Sequence, residues 1–366
     1  MHIGIAGAGL LGRLLAFELA RAGHKVEVFD PASGAEPQAG SPARAAGWTA
    51  AGMLSPVAEL ERAGEEVFQL GLRSCALWPG IVAALAQPVA LTMNGSLLLA
   101  HRSDAGSAQR LIGLLQAKAA IHIHPQLLSR AELAQLEPAV NGPALAWLLP
   151  NEGLINPIQA MQALAAQATA LGVHWHWQSA VNDLGNGALT CAGQARPRRF
   201  DHVFDVRGVG AKPALPVRGV RGEIIWLHAP GVQLKRPLRL MHPRISGYLV
   251  PRPDDIIVVG ASEIESEDRS PISLRSTVEL LTAAHSVIPE LAEARMVHSE
   301  TNLRPALPDN MPRIVNQPGI TRINGLYRHG WLIAPALVER ALLPMAGPDS
   351  EPAQAVNAMT ASEVLS

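Results

Sequence analysis

Gly7, Gly9 and Gly12 follow a short apolar run in the stretch IAGAGLLG, and Asp30 stands eighteen residues beyond the last of them. Each glycine meets a different demand: Gly7 a tight turn, Gly9 the close approach of backbone to a pyrophosphate, and Gly12 the close packing of a helix on a strand. The NH groups that open a helix favour negative phosphates, and an aspartate at the end of a second strand can accept hydrogen bonds from ribose hydroxyls. The implied chemistry is dinucleotide binding. The motif reports an ADP moiety and leaves open whether nicotinamide or flavin lies at the far end. Much later, Arg304 falls in TNLRPALPDN, between an expected strand and a proline-stiffened turn. An arginine so held can present two charge-assisted hydrogen bonds to a carboxylate.

Positioning these groups requires a strand, a turn, a helix and a second strand. His2 to Ala6 reads as the first strand, Leu14 to Ala22 continues with helical periodicity until Gly23, and Val26 to Phe29 reads as the second strand. Arg13 and Glu18 interrupt this apolar start and no basic leader precedes it, so strand plus helix is expected rather than a signal peptide. After Asp30 the chain enters PASGAEPQAGSPARAAGWTAAGMLSP, too rich in Gly, Ala, Pro and Ser for a long regular element. An ordinary nicotinamide domain would continue here with further strand and helix units. A loop of this kind calls for a large ligand to order it.

Helical patterns are expected at Ala58 to Ala86, Ala105 to Ala119, Pro157 to Leu171 and Leu274 to Val287, with Asn156 as a cap for the third. GSLLLAHR, VRGEIIWLHAP, GYLVPRP and DIIVVGASE read as strands of a mostly antiparallel sheet, a platform facing the ligand. The small, polar tail 346–366 is assigned no role.

A chain of 366 residues predicts two domains. Thirty basic against 31 acidic residues create no global field for nucleic acid or an anionic membrane surface, so a small neutral or zwitterionic ligand is expected. Cys75 and Cys191 are far apart and form neither a disulfide framework nor a zinc spacing, which points to a reducing, cytoplasmic setting. The alternating pairs His122/His124 and His174/His176 each lack an evident third ligand, so no metal site is expected.

Taken in order, IAGAGLLG with Asp30, GWTAAGML, HVFDVRGVGA, GYLVPR, VVGASE, NLRPALPDNMPRI and GLYRHGWLIAPA resemble the FAD-dependent D-amino acid oxidase superfamily. Within it the likeness is to the glycine oxidases of bacterial thiamine biosynthesis, and it covers nearly the whole chain. The resemblance implies an α/β fold: a Rossmann-like FAD domain assembled from residues 1–55, 155–215 and 315–345, and an α+β substrate domain from 56–154 and 216–314. The implied cofactor is FAD, held noncovalently because neither cysteine lies in the C-terminal flavin loop. Gly7, Gly9, Gly12, Asp30, Gly52 and Met53 are implied contacts from the N-terminal segment. Val181 and the Gly330, Trp331, Leu332 run are implied from later ones, the latter offering NH groups to the flavin's pyrimidine edge.

Arg304 matches the family's substrate-carboxylate arginine, and Tyr248 matches a tyrosine whose hydroxyl helps hold the same carboxylate. Arg328 lies in the segment that passes the flavin ring and the substrate mouth, where flavin contact, substrate contact and an ion pair are all open. The implied reaction is oxidation of glycine, a small D-amino acid or an N-methyl amine, with dioxygen accepting the electrons. A dehydrogenase passing electrons to a quinone or protein, and a non-catalytic flavin-binding module, are the alternatives. A homotetramer is implied by resemblance alone.

Two positions depart from the relative. Trp48 replaces a small residue, and Glu263 stands where an apolar methionine lines the substrate site. Glu263 either points inward, toward a substrate ammonium or a cationic amine, or joins Glu265, Glu267 and Asp268 on a solvated turn. The acidic neighbours favour the solvated turn.

Overall fold

The apolar run His2–Ala6 forms a central strand of a six-stranded sheet, buried from Ile3 onward. Across the sheet the strands run Arg313–Gln317, Ile320–Asn324, His202–Asp205, His2–Ala6, Lys25–Phe29 and His174–His176. All neighbours are parallel except the Arg313–Gln317 edge, which turns back on Ile320–Asn324. Strands covered on both faces must be apolar nearly throughout, as Ile3–Ala6 is and as Val203 and Phe204 of the His202–Asp205 strand are. The computed structural model describes residues 1–60, 63–118, 124–241 and 247–345; His122 and the tail 346–366 lie outside them.

The helix after the first strand begins at Leu10, earlier than its apolar periodicity predicts, and runs to Arg21. Gly9 is its cap and Gly12 lies in its first turn, where a Cβ would run into the Gly7 carbonyl. Helices Pro157–Ala170 and Gly330–Leu342 pack against it and share one apolar core with it. Asn156 caps Pro157–Ala170 as expected, its Oδ1 accepting from the NH groups of Ile158 and Gln159 at 3.1 and 3.3 Å. The expected helix from Ala58 to Ala86 is instead a short Pro56–Glu59 helix and a longer Gly64–Ala83 one. Leu274–Val287 is helical over the expected span.

Arg13 is fully buried in this core, where an apolar residue would be the usual choice. Its guanidinium donates to the carbonyls of Ala8, Met161 and Ala35 at 2.8, 2.7 and 2.7 Å and lies over the Trp48 ring. It joins the dinucleotide turn, the Pro157–Ala170 helix and the glycine-rich loop at one point. Trp48, the bulky departure, therefore serves as a packing surface for that cation. His176 stacks on Phe29 and bonds Glu27, which also takes hydrogen bonds from His2 and Arg198.

A second sheet has eight strands, in the order Arg295–Ala306, Arg218–His228, Ile256–Gly260, Gly247–Arg252, Leu238–Met241, Ser96–Ala100, Leu145–Leu149 and Gln126–Leu127. Every neighbouring pair is antiparallel except Leu238–Met241 with Ser96–Ala100. Period-two alternation divides its faces: Ile225, Leu227 and Leu249 pack with the Leu274–Val287 helix, while Ile224, Tyr248 and Val250 turn to the opposite side. On that opposite side Ile224 and Tyr248 line a cavity.

Candidate active site

One continuous cavity of about 450 Å³ is lined by residues from both large sheets and from the glycine-rich loop. At one end lie Gly7, Gly9 and Asp30. Gly7 adopts φ 107°, and a Cβ there would sit 2.7 Å from the Val206 carbonyl oxygen, so only glycine makes this turn. Gly9 caps its helix without a side-chain partner, so the first-turn NH groups of the cavity-lining Leu10 and Leu11 are offered to a ligand. Asp30 secures the turn: Oδ2 accepts from the Ala8 NH at 2.6 Å and Oδ1 from the Ala32 NH at 2.8 Å. Each oxygen keeps a second lone pair on the cavity side for a sugar hydroxyl. Gly12 does not line the cavity; it shapes the turn from behind.

The loop after Asp30 is held by protein contacts. Glu300, in the long edge strand, accepts from Arg44 Nε at 2.7 Å and from Thr49 Oγ1 at 2.9 Å. Asn302 donates to the Arg44 carbonyl at 3.2 Å and to Thr49 Oγ1 at 2.9 Å. Burial works against the Glu300 charge, but His298, Arg44 and Thr49 outweigh it and hold the carboxyl below its ordinary range. Gly52, Met53 and Val181 also line the cavity. A second helix start, Gly330–Leu342, brings Gly330, Trp331 and Leu332 to the wall, and Trp331 Nε1 donates to the Gly47 carbonyl at 3.0 Å.

At the other end are Arg304, Tyr248, Arg328 and Glu263. Arg304 lies within the strand Arg295–Ala306, not at its end, because an edge strand tolerates Pro305. Its Nη1 donates to the carbonyls of Ser262 and Arg221 at 3.0 and 3.3 Å. Two strand glycines make room for the pair: a Cβ on Gly222 would lie 2.5 Å from the Arg304 guanidinium, and one on Gly260 would lie 2.5 Å from the Tyr248 hydroxyl. Burial lowers the Arg304 pKa and raises that of Tyr248, while the charge of Arg304 pulls Tyr248 back. Because an arginine stays charged in proteins, the pair is a cationic fork beside a protonated phenol.

Glu263 is solvent-exposed as expected, with 40% of its side chain accessible, but it turns to the cavity wall instead of outward with its acidic neighbours. Its Oε1 accepts from the Tyr327 hydroxyl at 2.5 Å and its Oε2 from Arg328 Nη1 at 3.1 Å, at the cavity wall. The neighbouring acids do turn outward, Glu265 to Arg218 and Glu267 to Lys212. Arg328 also reaches Glu59 at 3.4 Å, so of its three open roles the ion pair is present, made while it lines the cavity. Tyr327, pushed up to about 12 by burial and then by Glu263, and His329, pushed down to about 4 by burial, went unnoticed in the sequence. Neither Cys75 nor Cys191 lines the cavity, and burial pushes the Cys75 thiol up to about 12.

Beneath this end, Glu152 is fully buried, accepting from the Ala58 NH at 2.9 Å and the Ser96 hydroxyl at 2.5 Å. Burial raises it to about 7, outweighing those bonds. Between the ordinary carboxylate range and about 7 the native state therefore holds a proton that the unfolded chain has lost. Its contribution to stability is complete in acid and falls as pH rises through that window. Glu152→Gln is expected to match the native protein in thermal unfolding at low pH and to exceed it by on the order of 2 kcal/mol above the window. Melting curves across that range check it, and parallel pH profiles for the two proteins would count against it.

A dinucleotide turn and a cation fork opening on one cavity are the parts of a cofactor-dependent oxidoreductase. The chain belongs to the FAD-dependent oxidoreductase (DAO) family, whose profile matches residues 2–340. It is 35% identical to the thiamine biosynthesis oxidoreductase ThiO of Rhizobium etli, over 95% of this chain and 98% of that one. It is 26% identical to the glycine oxidase of Geobacillus kaustophilus, over 91% of this chain and 89% of that one. The crystal structure of glycine oxidase from Geobacillus kaustophilus superposes with a TM-score of 0.78 at 25% identity, covering 94% of this chain and 97% of that one. The uncapped helix start and the Asp30 carboxylate, both at the cavity wall, fit the phosphates and ribose of FAD. Among the described residues no helix is long and apolar enough to cross a membrane.

Proposed function

We propose that this enzyme oxidises glycine, or another small D-amino acid or N-methyl amine, to the corresponding imine, with dioxygen reduced to hydrogen peroxide. The observation that carries the reading is the single cavity joining the Gly7 turn to Arg304 and Tyr248. Bound FAD supplies acceptance of a hydride from the carbon bearing the amine. Gly7, Gly9, Asp30, Gly52, Met53, Val181 and the run from Gly330 to Leu332 hold it, with Gly12 shaping the turn. Segments 1–55, 155–215 and 315–345 form its domain and the intervening segments form the substrate domain.

Arg304 grips the substrate carboxylate through two parallel NH groups, and the Tyr248 hydroxyl donates to the same group. Clamping the carboxylate fixes the adjacent carbon, which removes most of the orientational cost of reaching the reactive geometry. Apolar wall residues such as Ile224 and Leu332 exclude water there. A substrate that binds with its amine neutral can give up the α-carbon hydride without a dedicated base, and the iminium so formed sheds one N–H proton to become the imine. The functions of the relatives, glycine oxidase and thiamine biosynthesis, support glycine as substrate and the thiazole of thiamine as the imine's destination.

Purified protein supplied with FAD is expected to be yellow and to release peroxide with glycine. A panel of amino acids and N-methyl amines, assayed for peroxide and for reduction of an artificial acceptor, tests the reading. Acceptor reduction without peroxide would move the electrons to a quinone or protein. No turnover by either assay would overturn the oxidase reading.

A further inference from the structure

The carboxylate clamp leaves Glu263 without a part in it. This residue sits at the cavity wall with the Tyr327 hydroxyl on one oxygen and Arg328 on the other. Arg328 in turn lies between two carboxylates, Glu263 at 3.1 Å and Glu59 at 3.4 Å. Burial acts against the Arg328 charge, but Glu59 and then Glu263 overcome it and raise its pKa. Arg304 is set differently: its bonds run to the backbone carbonyls of Ser262 and Arg221, which orient a guanidinium without cancelling its charge. Arg239, also on the wall, turns its Nη1 to the Ala58 carbonyl at 2.5 Å, above the buried Glu152.

The same cavity thus holds a guanidinium oriented by carbonyls and another held by acids. A second accessible guanidinium near a carboxylate clamp would welcome a second carboxylate on the ligand, since fork and carboxylate match in charge and geometry. Here both arms of Arg328 are engaged, and the Glu263 carboxylate adds repulsion against an incoming anion. Discrimination of this kind works by opposing the wrong ligand as much as by favouring the right one.

We propose that Glu263 is a specificity-determining residue that restricts the site to substrates with one carboxylate, by occupying Arg328 and repelling a second anionic group. The inference rests on the oxidase reading for the role of Arg304 as the carboxylate clamp.

The test compares FAD-loaded native protein with Glu263→Gln, Glu263→Met and the double variant Glu263→Gln with Arg328→Gln. Acetate and malonate are titrated against the flavin absorbance, a readout that needs no turnover, and D-alanine and D-aspartate are compared as substrates. Both single variants are expected to shift the malonate-to-acetate affinity ratio toward malonate by about tenfold or more, the size of one regained charge-assisted contact. The double variant should lose that gain. An unchanged ratio in both single variants, or a gain that persists without Arg328, overturns the proposal. If the native protein binds these carboxylates yet oxidises no amino acid, the oxidase reading fails while the affinity ratio still decides the role of Glu263.

Discussion

Replacing Arg304 with alanine is expected to weaken amino acid binding by about 10- to 150-fold, the equivalent of about 1.5 to 3 kcal/mol for lost charged hydrogen bonds. The loss should fall on the apparent affinity while FAD content stays near the native level, because Arg304 belongs to the eight-stranded sheet and bonds Ser262 and Arg221, whereas the Gly7 turn follows a strand of the six-stranded one. Gly222 leaves the space that the guanidinium occupies, so truncation opens a void rather than a clash. Arg304→Lys separates charge from shape: a lysine keeps the cation but cannot present two parallel donors, so it should recover only part of the loss. Steady-state kinetics with the preferred amine, together with flavin titration by a non-oxidised carboxylate, measure both. An unchanged affinity in the alanine variant would remove Arg304 from the clamp and with it the orientation step on which the reaction depends.

The parts of this enzyme legible in its sequence are those whose physics is local. The Gly7, Gly9, Gly12 spacing with Asp30, the Asn156 cap ahead of Pro157 and the Leu274–Val287 helix each follow from residues a few positions apart. Helix Leu10–Arg21 began early because Gly12 and Arg13 carry no apolar signal: one is there to touch Gly7, the other to bond three carbonyls brought in by the fold. The turn of Glu263 to the cavity wall escaped the sequence for the same kind of reason. Its chain neighbours are acids on a surface turn, whereas its partners Tyr327 and Arg328 come from a segment more than sixty residues away. The link from Arg44 to Glu300 and Asn302 spans still more of the chain and has no sequence signature. Gly222 and Gly260 did carry a signal, since glycine inside a strand marks close approach by another group. Each faces the functional residue for which it leaves room.

Gly12→Ala is expected to abolish FAD binding, though it adds a single methyl group. That methyl would lie 1.9 Å from the Gly7 carbonyl oxygen, and Gly7 has little room to give, since even a Cβ on it would lie 2.7 Å from the Val206 carbonyl oxygen. Both sides of the clash are main chain, so no rotamer change relieves it, and overpacking of this kind costs on the order of 1 to 3 kcal/mol. The relief available is to tilt the Leu10–Arg21 helix off the first strand, which moves the Leu10 and Leu11 NH groups and parts the Ala8 NH from Asp30. The phosphate site depends on those donors more than on any side chain. Gly34→Ala, in the loop that follows, is the matched control: its new Cβ meets nothing within contact range, so flavin content and melting temperature should stay native. Flavin absorbance and melting curves after incubation with excess FAD compare the two. A Gly12→Ala protein that remains yellow with native affinity would mean that the ADP end of the cofactor is anchored somewhere other than this turn.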